Sequence, residues 1–142
     1  MYKKILVAYD GSSFSDVALR QGSSLARLCN ADLHLVGIVA TTAFSAMGEG
    51  IGGIDIWGME RKLLEAALQG AALDLSSQGL KAATTIQEGN PAVEIAACAA
   101  RLGVDLVVVG HSDKGLFARW FEGSVGAGLF RDLPCDLLVA TG

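Results

Sequence analysis

Cysteine is scarce in this sequence, and the few residues present are scattered. Cys29, Cys98 and Cys135 are odd in number, far apart and set among apolar neighbours, whereas a disulfide framework or a metal site asks for pairs at short spacing. They are expected to be buried thiols in a reducing compartment. Positive charge is also sparse: 11 Lys and Arg against 15 Asp and Glu leave a net charge of −4, and the cations stand singly or in pairs. That argues against nucleic acid or an anionic membrane as a partner, since either would need a clustered basic footprint. No apolar run approaches the roughly 18 residues of a membrane span. Met1 to Ile5 enters a strand-like run at once, without a leader's apolar region or cleavage site, so the expected location is the cytoplasm. Aromatics make up only 6%, and the interior is left to Ala, Val, Leu and Gly.

What is present is a regular alternation, in a length that suits one domain over residues 1–142. Residues 3–9 form an apolar run that stops at Asp10-Gly11-Ser12-Ser13, a turn and helix-start signal. Residues 14–29 place Ala18, Leu25, Leu28 and Cys29 at helical spacing, and 33–39 read as a second buried strand. Residues 40–56 are glycine-rich and without period, so a loop is expected there. From about 57 to 77, Leu63, Leu64, Ala67, Leu68, Ala71 and Leu75 mark a long helix. A more polar third strand over 81–87 belongs near a sheet edge. Gly89-Asn90-Pro91 then feeds a helix whose first position suits proline, with Ala92, Ile95, Ala96 and Ala99 on one face. Residues 105–109 are the most apolar strand and hence the most central. A loop from Gly110 to Gly123, a short helix from Ser124 to Asp132 and a last strand over 135–140 complete the chain. Strands alternating with helices predict a doubly wound α/β fold with parallel pairing and helices on both faces; if the first and fourth strands are central neighbours, the five-stranded sheet has the order 3-2-1-4-5. Ligands on such a sheet bind outside the strand carboxyl ends, where the strand order reverses. Two loops meet there, after Asp10 and after Gly110.

The second of these loops carries the chemistry. Its strand ends at a glycine, and the segment runs through His111, Asp113, Lys114 and Arg119 until Gly123-Ser124-Val125 opens a helix. Glycines let a backbone approach an anion, helix-start N–H groups lack intrachain partners, and the helix dipole favours negative charge. Ser124 offers a hydroxyl to a phosphate oxygen. The same Gly123-Ser124 pair serves equally as a plain helix cap. Two other phosphate motifs are missing: no G-x-x-x-x-G-K-[ST], and no G-x-G-x-x-G after the first strand. No Ser-His-Asp order, His/Cys cluster or pair of carboxylates marks a catalytic centre, and His34 has no metal partner in the sequence around it.

The opening Lys3 to Ser13, the Gly89-Asn90-Pro91 turn and the Gly110…Gly123-Ser124 loop together resemble the universal stress protein family, over essentially the whole chain. Nucleotide-binding members carry G-x-x-G-x9-G-[ST] after the fourth strand. In this sequence that frame falls on Gly110, Asp113, Gly123 and Ser124, with an aspartate where the second glycine belongs. The resemblance implies a regulatory protein that binds ATP or ADP with Mg²⁺. Asp10 would meet the adenine or ribose beside the backbone of Ala8; Ile38 would flank the base; Val109 and Gly110 would line base and ribose. Gly123, Ser124 and Val125 would hold the phosphates. Asp10 has the alternative role of capping the first helix, and Ile38 and Val109 that of plain core. The resemblance also implies a homodimer through the last strand and a protein partner. Two other readings stand beside it: an interaction module on the same fold without nucleotide, and a slow ATPase.

Overall fold

In the computed structural model, residues 1–40, 56–111 and 131–141 are described. The strands are β1 (Lys4–Ala8), β2 (Asp32–Ala40), β3 (Ala82–Gly89), β4 (Leu106–Gly110) and β5 (Asp136–Ala140). The helices are α1 (Ser13–Cys29), α2 (Ile56–Ser77) and α3 (Pro91–Leu102). All four strand pairings are parallel, as the alternation predicts, and the order is the expected β3-β2-β1-β4-β5. The polar β3 lies at one edge and β4 sits beside β1 in the middle.

Side chains alternate across this sheet. Ile5, Val7, Leu33, Leu35, Leu106 and Val108 face α1 and α2, where Ala18, Ala26, Leu64, Leu68, Ala71 and Leu75 meet them. Leu6, Ala8, Val36, Val107 and Val109 face the other way and pack under Ala92, Ile95, Cys98 and Ala99 of α3. β1 and β4 are therefore apolar on both faces, the pattern of strands covered above and below.

The helix ends follow from local chemistry. Ser12 caps α1, its hydroxyl accepting the N–H of Ser15 at 3.2 Å. Asn30 ends α1 in the left-handed conformation, φ 54°, which asparagine tolerates better than most residues. Asn90 caps α3 ahead of Pro91, and Gly103, φ 65°, closes it.

Two leucines placed on apolar helix faces by spacing alone turn out to be at the surface: Leu28 is 83% exposed and Leu63 is 71% exposed. The buried stripe of α1 is made of Ser15, Ala18, Gly22, Ser23 and Ala26, residues small enough to let the helix lie close on the sheet. A Cβ on Gly22 would stand only 2.5 Å from a methyl of Val7. Leu28 falls at least about a third of a turn from Gly22, Ser23 and Ala26, and Leu63 about a quarter-turn from the buried Leu64. The expectation of three buried thiols is likewise corrected. Cys98 is buried, whereas Cys29 and Cys135 are half-buried, and all three are unpaired. The glycine-rich loop lies outside the described residues apart from its two ends, Ala40 in β2 and Ile56 in α2. The loop after Gly110 and the short helix before β5 also lie outside them, except for His111 and the helical Arg131 and Asp132.

Ile95 is fully buried in α3. Its replacement by alanine is expected to cost about 2–5 kcal/mol in urea unfolding, the range for truncating a buried aliphatic side chain. Leu28→Ala should change stability by no more than about 0.5 kcal/mol.

Candidate functional site

The chain leaves β1 toward β2 and leaves β4 toward β5, so the carboxyl ends of β1 and β4 are the switch point of the sheet. Ala8 ends β1, and its register partner on β2 is Val36. Pairing continues one step further, the N–H of Tyr9 donating to the carbonyl of Val36 at 2.9 Å. Ile38 stands two residues beyond Val36 on the same face. Val109 and Gly110 end β4, paired with Val139 and Ala140 of β5. Ala8, Val36, Ile38 and Val109 all pack on the α3 side of the sheet. Ala8 and Val109 are buried core, Ile38 is half-buried, and Asp10 is exposed just beyond them. Ala8, Asp10, Ile38, Val109 and Gly110 are thus gathered at the switch point. Asp113, Gly123, Ser124 and Val125 lie outside the described residues.

Asp10 is not the cap of α1. That role belongs to Ser12, and Asp10 braces the turn before it: its Oδ1 accepts the Ser12 N–H at 2.9 Å. Its own N–H donates to Ser15 Oγ at 3.3 Å. The Ser15 hydroxyl is buried and donates to the Ser12 carbonyl at 2.9 Å. The turn is thereby fixed by its own polar groups, and Asp10 Oδ2 makes no hydrogen bond among the described residues.

Gly110 is required by packing. A Cβ there would run into the backbone carbonyl of Phe14, with its carbonyl carbon 2.6 Å away. The first turn of α1 therefore rests directly on the end of β4. His111 is exposed, and its N–H donates to the carbonyl of Ala140 at 2.9 Å.

Tyr9 was not singled out by sequence reasoning. It points to the opposite face from Ala8, into the core under α1, and its hydroxyl donates to Asp16 Oδ1 at 3.0 Å. Burial first, then this bond to a carboxylate, push its pKa up to about 12. The alternation of side chains along β1 was the available signal. Tyr9 and Asp16 also line an open groove of about 720 Å³ between α1 and α2, with Arg20, Gly70 and Asp74. This groove lies on the sheet face opposite Ala8, Ile38 and Val109. Among the described residues no group of three His, Cys, Asp or Glu is placed to hold a metal ion, and no helix is long and apolar enough to cross a membrane.

A parallel sheet whose strand order reverses between β1 and β4 defines the class: a doubly wound α/β protein. Within it, the model of the universal stress protein family matches residues 1–141, and the chain belongs to that family. SH1215 of Staphylococcus haemolyticus, which shares the family name, is 30% identical over 140 residues, covering 97% of this chain and 84% of the relative. A family member from Burkholderia pseudomallei superimposes with a TM-score of 0.75 at 25% identity, covering 97% of this chain and 95% of the other. A universal stress protein solved in complex with cAMP shares the fold at a TM-score of 0.72 and 23% identity, covering 99% and 97%. Members solved with AMP and with dAMP share it at 16% and 20% identity, with TM-scores of 0.68 and 0.67.

Tyr9 makes stability pH-dependent on the alkaline side. Its folded pKa of about 12 lies above the ordinary value of 10.0, so the native state holds a proton that the unfolded chain has lost. Stability from this group is complete below pH 10 and is lost as the pH rises toward 12. Urea melts across that window should show a fall in midpoint that Tyr9→Phe diminishes, with tyrosinate absorbance following the same titration.

Proposed function

We propose that the protein binds ATP or ADP, with Mg²⁺, at the crevice outside β1 and β4, and acts as a nucleotide-dependent regulator. The observation that carries this reading is the convergence of Ala8, Asp10, Ile38, Val109 and Gly110 at the one place in the sheet where the strand order reverses. The half-buried Ile38 offers an apolar wall for a base. Asp10, braced through Oδ1, keeps Oδ2 for a ribose hydroxyl or base N–H. Gly123, Ser124 and Val125 are assigned to the phosphates on the strength of the sequence frame. The adenine nucleotides held by fold relatives, cAMP, AMP and dAMP, support the same ligand class. The unpaired cysteines fit a cytoplasmic location.

In this reading the protein is a homodimer joined through β5. That strand is a sheet edge whose Leu137, Leu138 and Val139 are half-buried, and an apolar edge favours pairing. A protein partner would read the nucleotide state. Asp113 favours the second reading, an interaction module without nucleotide, because a carboxylate near the phosphates repels them by roughly 3 kcal/mol per unit charge at about 5 Å and an effective dielectric of about 20.

Calorimetry with Mg-ATP tests the first reading. Saturable heat and a raised melting temperature are expected, about 2.7 kcal/mol of added stability at a hundredfold excess over the dissociation constant. Absence of both at millimolar nucleotide would leave the interaction module. Asp113→Gly should tighten ATP by about three- to thirtyfold through relief of that repulsion, and leave adenosine unchanged. Light scattering at high concentration should give twice the 14.7 kDa of one chain.

A further inference from the structure

At the opposite end of the sheet from the crevice, where the strands begin, lies a pit of about 370 Å³, near the lower end of the roughly 300–1,000 Å³ span of small-molecule sites. Its origin is local. α3 ends at Leu102 under the Gly103 cap, and the neighbouring edge strand presents only Ala83 on this face at its start, opposite His34. No large side chain fills the space between them. Leu102 and Val104 make an apolar wall, while the exposed Lys4, Lys81 and Asp32 stand at the margin and the half-buried His34 lies deeper.

The charge here runs against the acidic whole. Arg101, in the last turn of α3, acts on the half-buried His34 through its field, and burial together with Arg101 lowers the imidazole's pKa. Two fixed cations, Lys4 and Lys81, thus line the pit with one carboxylate, Asp32, and a third, Arg101, stands near His34 with its guanidinium at Cys98 Sγ, 3.6 Å away. Among the described residues the ion pairs belong to Arg61, with Glu65 and Glu88, so none of the three cations is neutralised by a carboxylate. Lys4 Nζ reaches only the carbonyl of Leu102, at 3.4 Å. His34 Nε2 is engaged with Thr85 Oγ1 at 2.6 Å, which holds the ring at the back of the pit.

We propose that this pit binds a small apolar carboxylate, its hydrocarbon against Leu102 and Val104 and its anionic head at the ammonium groups of Lys4 and Lys81, which flank Asp32. The match is one of shape and charge: an apolar wall of limited size, with unpaired ammonium groups at its mouth. The site is independent of the nucleotide reading, being at the other end of the strands.

The chain's two histidines, His34 and His111, make the test direct, because one lies at each end of the sheet. With ¹³C-labelled histidine, titration of the whole protein with sodium benzoate should move the His34 ring signals saturably and leave those of His111 in place. Benzyl alcohol, which lacks the charge, should bind about tenfold more weakly, the loss of a charge-assisted contact. Lys81→Glu, at an exposed position, should weaken benzoate by at least as much. Ala83→Trp should fill the pit and abolish the shift. A His34 signal that benzoate does not move overturns the proposal. So does an equal response to benzyl alcohol, or a response that Lys81→Glu leaves unchanged. Mg-ATP serves as the separate control: whether or not it moves His111, the His34 result stands.

Discussion

The pairing of β1 with β4 is the constraint on which the rest of this molecule depends. Ile5, Leu6 and Val7 stand in register with Leu106, Val107 and Val108, and all six are essentially without solvent exposure. A parallel pair so placed needs cover on both faces, and cover requires helices above and below. The two strands are separated by about two-thirds of the sequence, so their contact is the long-range one on which the sheet closes. Asp105 reinforces the closure, its carboxylate accepting the N–H groups of Lys3 and Lys4, which hold it below the ordinary aspartate pKa. Once β1 and β4 are neighbours, β2 and β3 extend the sheet one way and β5 the other. The switch-point crevice is a by-product of that divergence.

The order of elements was legible because strand and helix periods differ so clearly. The strand at 105–109, the most apolar, was expected to be central, and the more polar 81–87 near an edge. Capping chemistry was legible for the same reason: Asn90-Pro91 and Gly103 announce the ends of α3 in a way that spacing alone does not. Which helical leucine is buried was less legible. Leu28 and Leu63 satisfy a loose helical spacing, but the depth at which a helix lies on a sheet is set by its smallest residues, and Ala18, Gly22 and Ala26 settle the face of α1.

At the switch point, Ala8, Asp10, Ile38, Val109 and Gly110, carried over from the family resemblance, lie near one end of the sheet, where strand ends are legible from the alternation. Sequence reasoning did not resolve the role of Asp10, since Asp10, Ser12 and Ser13 all have capping chemistry, and only the hydrogen bonds single out Ser12. Nor did it reach the pit at the other end. That pit depends on a residue being small, Ala83, and on cations from three separate segments. A contribution spread so thinly leaves no motif.

The contact between Gly110 and Phe14 has a mechanical consequence. The end of β4 and the first turn of α1 touch backbone to backbone, with no side chain between them to absorb a displacement. A rotamer change cannot buffer such a junction, so the two segments must travel together. A displacement of the chain at Gly110 is therefore passed to the amino end of α1. The deep seating of its middle, where Gly22 lies against Val7, acts as the fulcrum. The exposed far end around Leu28 becomes the tip of a lever whose other arm, from Gly22 back to Phe14, ends at the switch point.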